Sequence, residues 1–179
     1  FFQVASIITT TGYATTDFNM WPTFSKAVLV LLMFFGACAG STGGGIKISR
    51  LIILLKSSFC EVRRLQYPRS VSKVRLEGKV VSEQTVRYAY AFYMLYMLII
   101  LLSVLILSFD GLDLTTNLTG TIACISNIGP GLSLVGPAGN YSIFSWFSKA
   151  VLILDMLIGR LEIYPILLLC APSVWKKNG

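Results

Sequence analysis

Phe24-Ser-Lys-Ala-Val-Leu-Val-Leu-Leu-Met-Phe-Phe-Gly-Ala37 returns 123 residues later as Phe147-Ser-Lys-Ala-Val-Leu-Ile-Leu-Asp-Met-Leu-Ile-Gly-Arg160, and nine of the fourteen positions are identical. Each copy follows a short polar stretch containing glycine: Thr9-Thr-Thr-Gly-Tyr13 before the first and Ser126-Asn-Ile-Gly-Pro130 before the second. Setting Gly12 against Gly129 gives a spacing of 117, so the second copy carries six more residues between its polar turn and its helix. Self-similarity at a fixed spacing marks a structural unit used twice. The unit reads as outer helix, short re-entrant helix, polar turn and inner helix. Tyr88 to Phe109 supplies the outer helix of the second unit and Leu114 to Ile125 its re-entrant helix. The first unit is entered near the end of its re-entrant helix, so the sequence is expected to continue upstream.

Composition agrees with that reading. Of the residues 55% are hydrophobic, only 13% are charged, and histidine is absent, which places the chain in the membrane class. Tyr88 to Phe109 is 22 residues without a charge, enough to cross a hydrocarbon core roughly 30 Å thick. The run from Ala27 to Ala39 is shorter and meets Gly40-Ser-Thr-Gly-Gly-Gly45 before apolar character resumes at Leu51 to Leu55, which reads as one crossing interrupted in the middle. The last apolar region, Ile143 to Cys170, contains Lys149, Asp155, Arg160 and Glu162, charges that must face protein or water rather than lipid.

The net charge of +7 is concentrated. Ten of the fifteen basic residues lie between Lys47 and Arg87, which puts this connection on the cytoplasmic side, and Asp110 and Asp113 on the outside. Pro68 and Gly78 divide it into a helix extension, a short linker and a helix start. No aromatic platform accompanies the basic residues, so they are assigned to lipid head groups or a cytoplasmic protein and not to nucleic acid. Cys38, Cys60, Cys124 and Cys170 stand singly, without metal-ligand spacing. No serine-base pair or paired acids suggest an enzyme.

A twelve-residue helix cannot cross the core. Leu114 to Ile125 would dip in and stop, leaving backbone groups that only protein or a watery cavity can satisfy. Thr10, Thr11 and Gly12, with Asn127, Ile128 and Gly129, can offer carbonyl oxygens there, and such oxygens replace the hydration shell of a potassium-sized cation. Glycine allows the left-handed backbone needed to turn consecutive carbonyls the same way, and helix C-termini aimed at the cavity favour cations further.

These features resemble the Trk/Ktr/HKT superfamily of potassium transport proteins, nearest to the bacterial TrkH-type membrane subunit. The resemblance rests on Thr9-Thr-Thr-Gly-Tyr-Ala-Thr-Thr-Asp17, Phe35-Gly-Ala-Cys-Ala-Gly-Ser-Thr-Gly-Gly-Gly-Ile-Lys47, Ser126-Asn-Ile-Gly-Pro-Gly131 and Gly159-Arg-Leu-Glu-Ile-Tyr-Pro165. It implies an all-α polytopic membrane protein whose repeated outer-helix, re-entrant pore-helix and inner-helix units surround a central pore, as in potassium channels. Residues 1–67 would end the third unit, 68–87 would form the basic cytoplasmic connection, and 88–179 would complete the fourth. The implied activity is potassium uptake across the bacterial inner membrane, K+ being the transported ion and no cofactor being required. Implied partners are a second copy of the subunit, the two preceding repeats of the same subunit, and a cytoplasmic nucleotide-binding ring of the TrkA kind. Ala14 after Tyr13 and Pro130 after Gly129 depart from the potassium-channel filter and leave discrimination against sodium open. Proton- or sodium-coupled symport is the alternative mechanism, and a non-conducting structural subunit the distant one.

Gly36, Gly40 and Gly44 are spaced for a close helix contact, but the resemblance assigns the stretch to a loop below the filter. Gly36, Gly40, Ser41, Thr42, Gly43, Gly44 and Gly45 would obstruct the pore and move for ions to pass. A phosphate loop is excluded by Ile46 between Gly45 and Lys47 and by the lack of a preceding strand. Arg160 costs about 2.5 to 3.5 kcal/mol in a lipid-facing helix centre. It is read either as a salt-bridge partner of Asp155 or Glu162 or as a gating cation facing the pore, with Ala37 as its repeat counterpart. Lys26 and Lys149 are read as snorkelling at the interface, with Trp21, Trp146 and Trp175 at head-group level. Asp17, Asp110 and Asp113 are either cation-gathering carboxylates at the mouth or a solvated face. Asn117-Leu-Thr119 and Asn140-Tyr-Ser142 match glycosylation sequons.

Overall fold

A computed structural model describes residues 1–35, 44–67, 74–76, 78–161, 163 and 165. Among them run six α-helices: α1 (Phe2–Ile8), α2 (Thr23–Phe34), α3 (Ile48–Gln66), α4 (Glu83–Leu107), α5 (Leu114–Ile125) and α6 (Trp146–Leu161). Two short strands, β1 (Arg75–Leu76) and β2 (Lys79–Val80), pair antiparallel between α3 and α4. The segment expected to be a plain linker therefore contains a hairpin, closed at Gly78 with φ +80° and fastened by Lys56 Nζ, which donates to the Arg75 carbonyl at 2.9 Å.

α4 begins at Ser82, whose hydroxyl accepts from the Thr85 N–H, and runs for 25 residues, roughly 37 Å at helical rise. With the turn that follows, it is the one helix among the described residues long and apolar enough to cross a membrane. Its faces are sorted as lipid would sort them. Phe92, Tyr96, Ile100, Ser103 and Leu107 are buried, whereas Met94, Leu98, Leu101 and Leu105, at helical spacing, are exposed. An apolar stripe turned outward is stable only in an apolar surround.

α5 starts beside the end of α4. Asp113 caps it, accepting from the N–H and the hydroxyl of Thr116, and nine of its twelve residues are buried. It runs back along α4 for roughly 18 Å and stops where its C-cap residue Ser126 meets Tyr96, Oγ to hydroxyl 3.3 Å. Tyr96 is midway along α4, so α5 ends at half the depth of the spanning helix. The chain then returns, and α6 descends beside both helices. It is tied to the end of α4 by the Ser145 N–H donating to Asp110 at 3.0 Å, and deeper by the Ser103 hydroxyl donating to Asp155 at 2.9 Å.

α2 ends at Phe34 and α3 begins at Ile48. The Ile46 N–H donates to the Phe34 carbonyl at 3.1 Å, so the chain leaves and re-enters at one place. α3 lies against α4, with the Arg50 guanidinium 4.1 Å above the Phe92 ring. One core joins both halves: Ile7, Leu29 and Met33 meet Phe92, Tyr96, Ile122 and Ile128.

The sequence repeat is longer in the structure than in the letters. A one-turn 3-10 helix precedes each inner helix, Phe18–Met20 and Tyr141–Ile143, again 123 residues apart. Asp17 caps the first, accepting from the Asn19 N–H at 2.9 Å, and Asn140 caps the second, accepting from the Ser142 N–H at 3.0 Å. Lys26 Nζ donates to the Asn19 carbonyl at 3.3 Å and Lys149 Nζ to the Ser142 carbonyl at 3.1 Å. The two lysines thus bind the turns before their helices instead of only reaching for the interface.

Candidate functional site: two facing turns

Each short helix ends in the same way. After α1, the N–H groups of Thr9, Thr10 and Thr11 donate to the carbonyls of Ala5, Ile7 and Ser6 at 2.9, 3.1 and 2.9 Å. After α5, those of Ser126, Asn127 and Ile128 donate to Ile122, Cys124 and Ala123 at 3.0, 3.0 and 2.9 Å. Every donor and acceptor is displaced by 117. This is the Schellman arrangement, which uses the last helical carbonyls and forces one residue into left-handed backbone. Thr10 and Asn127 occupy that position, both at φ +55°, followed by Gly12 at +77° and Gly129 at +108°. Asparagine tolerates such a backbone; a β-branched threonine there is an outlier held by its surroundings.

The turns are held differently beyond that point. Ser6 Oγ donates to the Tyr13 carbonyl at 2.6 Å and Gln3 Nε2 to that of Thr16 at 3.2 Å, folding the segment after the first turn back along α1. In the second, Thr119 Oγ1 accepts from the Leu132 N–H at 2.9 Å, and the Tyr141 hydroxyl donates to the Gly129 carbonyl at 2.6 Å. That carbonyl keeps a second lone pair.

The two turns touch. A methyl group added to Gly12 would lie 2.0 Å from the Ile128 carbonyl oxygen and 3.3 Å from the Pro130 ring. Beneath them two more glycines receive the end of α5. A Cβ on Gly44 would meet the Ser126 oxygen at 2.6 Å, and one on Gly159 would meet the Ile125 oxygen at 1.7 Å. Asn127 Nδ2 reaches across to the Met156 carbonyl of α6 at 3.1 Å.

Of the residues expected to form a gate, Gly36, Gly40, Ser41, Thr42 and Gly43 lie outside the described residues, as does Ala37. Gly44 sits against the end of α5. Gly45, at φ +81°, lines one small cavity with Lys47, Arg50 and Gly159. Arg160 follows Gly159 in α6, so its backbone stands at the level where α5 stops; its side chain is exposed. Asp155, one of its two candidate partners, bonds Ser103 instead, and Glu162 lies outside the described residues.

Asp17 and Asp113 cap their helices, and Asp110 accepts from the Ser145 N–H just ahead of α6. The hydrogen bond from the Thr116 hydroxyl holds the Asp113 carboxyl below the ordinary 3.8. Asn117 is buried and donates to the Leu112 carbonyl, which removes it as a glycosylation acceptor. Sequence reasoning passed over Gly159, Tyr141 and Asn19. Gly159 was signalled by its alignment with Gly36; nothing in the letters marked the other two.

Residues 1–177 match the family model TrkH, described as a cation transport protein. The chain is 37% identical over 176 residues to the Trk system potassium uptake protein TrkG of Escherichia coli K12, covering 98% of this chain and 36% of that protein. It is 36% identical over 177 residues to TrkH of the same organism, covering 99% and 36%. The crystal structure of the potassium transporter TrkH from Vibrio parahaemolyticus superposes with a TM-score of 0.88 at 37% identity, over 98% of this chain and 37% of that one. The chain spans little more than a third of the length of these relatives.

Proposed function

The chain belongs to the TrkH family of cation transport proteins, and from that premise we propose that it supplies the third and fourth of four pore-lining units in a potassium uptake protein. The family consists of transporters and not enzymes, and its place is the bacterial inner membrane, crossed several times. Residues 1–67 end the third unit, 68–87 connect the two on the cytoplasmic side, and 88–179 form the fourth. The observation that carries this reading is the pair of helix ends sharing the same three cap hydrogen bonds, one of them halfway down a spanning helix, whose turns face each other.

In this reading Thr10, Thr11 and Gly12, with Asn127, Ile128 and Gly129, give backbone carbonyls to K+ in place of its water. The stretch Gly36 to Gly45 closes the path below, and Arg160 repels cations there until the loop moves. Lys47 and Arg50, at the base of that stretch, add positive charge beside Gly159. A second copy of the subunit and a TrkA-like nucleotide-binding ring would complete the system, the ring docking on the basic residues from Lys56 to Lys79.

The test is potassium against sodium flux into liposomes holding the complete subunit, with and without Arg160→Ala and with a set proton gradient. Potassium-preferring flux that rises in the variant and ignores the gradient is the expected result. Flux that tracks the proton gradient would make the protein a symporter, and an unchanged variant would remove Arg160 from the gate.

A further inference from the structure

The six residues by which the fourth unit exceeds the third fall between Gly129 and Asn140, since the repeat spacing is 117 up to Gly129 and 123 from Asn140 onward. This added segment does not stand free. It contains a 3-10 turn at Ser133–Val135, and Ser133 takes a left-handed backbone with φ +58°. That conformation turns the N–H and C=O of one residue toward the same partner, the Asn19 side chain of the third unit. Asn19 Oδ1 accepts from the Ser133 N–H at 2.8 Å, and Asn19 Nδ2 donates to the Ser133 carbonyl at 2.9 Å. Gly136 makes room for the amide: a Cβ there would lie 2.1 Å from Asn19 Nδ2.

Asn19 is itself fixed on every side. Its N–H is taken by Asp17 and its carbonyl by Lys26, so its amide projects from a turn anchored to α2. At the other end of the clamp, Leu132 and Leu134 donate to the Thr119 and Thr116 hydroxyls of α5. A short chain of hydrogen bonds therefore runs from α2 through Lys26, Asn19 and Ser133 to α5. It ties the two units a few residues beyond the point where Gly12 meets Ile128.

We propose that Asn19, clamped on the Ser133 peptide of the fourth unit's added segment, is a positioning residue that fixes the spacing of the two facing turns and thereby sets cation selectivity. This rests on the turns being part of a potassium filter. An amide is suited to the task because it offers one donor and one acceptor in a plane and bears no charge at the cation entrance. A site that replaces water by fixed oxygens discriminates by their spacing and number, so a loosened clamp should lower selectivity more than throughput.

Potassium, rubidium and sodium flux are measured in liposomes with the complete subunit as wild type, Asn19→Ala, Asn19→Asp and Gly136→Ala. Asn19→Asp keeps the acceptor for the Ser133 N–H but sets a carboxylate oxygen against the Ser133 carbonyl. Gly136→Ala displaces the amide without altering it, and guards against an Asn19 variant that fails to assemble. Loss of one or both of these hydrogen bonds predicts a potassium-to-sodium ratio reduced by about threefold to tenfold in each variant, with potassium flux within about twofold of wild type. A ratio that stays at the wild-type value in Asn19→Ala or Gly136→Ala overturns the inference, whether or not total flux falls, because a merely structural clamp would scale all ions alike. A wild-type protein without potassium preference overturns the filter itself.

Discussion

The carbonyl oxygen of Ile128 lies against the Cα of Gly12, so close that any side chain on Gly12 would occupy its place. Two residues 116 positions apart thus share one contact between facing turns. Gly12→Ala meets two obstacles there: a backbone φ of +77°, about 1–2 kcal/mol for a residue with a Cβ, and a contact of 2.0 Å that only movement of the second turn can relieve. We expect potassium uptake to fall at least about tenfold with normal membrane insertion, measured by growth on limiting potassium and by surface labelling. Uptake at the wild-type rate would show that the turns do not act together.

Gly159 and Gly120 separate packing from helix propensity. Alanine improves helix propensity at either by about 1 kcal/mol. At Gly120 the nearest atoms are side chains at 3.5 Å or more, whereas at Gly159 the Ile125 backbone stands 1.7 Å from the new methyl. Gly120→Ala should leave the thermal midpoint in detergent unchanged or raised. Gly159→Ala should lower it, the overpacking of about 1–3 kcal/mol or more outweighing the gain.

Tyr141→Phe deletes the hydroxyl that donates to the Gly129 carbonyl and also meets the buried Cys124 thiol. About 1 kcal/mol of positioning is lost. The expected outcome is a thermal midpoint lowered by only a few degrees, with a potassium-to-sodium flux ratio reduced severalfold, read in the same liposome assay. An unaltered ratio would mean that the Gly129 peptide is held well enough by its own turn.

Asp113 has a carboxyl group held below the ordinary value by the hydrogen bonds it accepts in the folded state. Its contribution is therefore complete above the ordinary 3.8 and is lost as pH falls through the lowered folded-state value. Stability should be flat with pH from neutrality to about pH 5 in this respect and decline below about pH 4. Asp113→Ala should remove the α5 cap at about 1 kcal/mol at neutral pH and flatten the acid decline, as monitored by thermal unfolding across the pH range.

Much of this architecture could be read from the letters because it follows from length and repetition. α5 begins and ends where the twelve-residue apolar segment did, and the two glycine turns lie at the ends of short helices. What stayed hidden depends on groups that carry no period. Asn19 looks like one polar residue in an outer loop, and its partner is a peptide, not a side chain. Lys26 and Lys149 read as interface residues because a lysine before an apolar helix is one in most settings; only the preceding turns show what they bind. Asp155 seemed available to Arg160 five positions on, whereas helical geometry points it to Ser103 of a neighbouring helix. The strands at Gly78 are too short to leave an alternating pattern.

The hydrogen bond from Ile46 to the Phe34 carbonyl carries a mechanical consequence. It couples the end of α2 to the start of α3 directly: tension between these two helices can pass across that one bond.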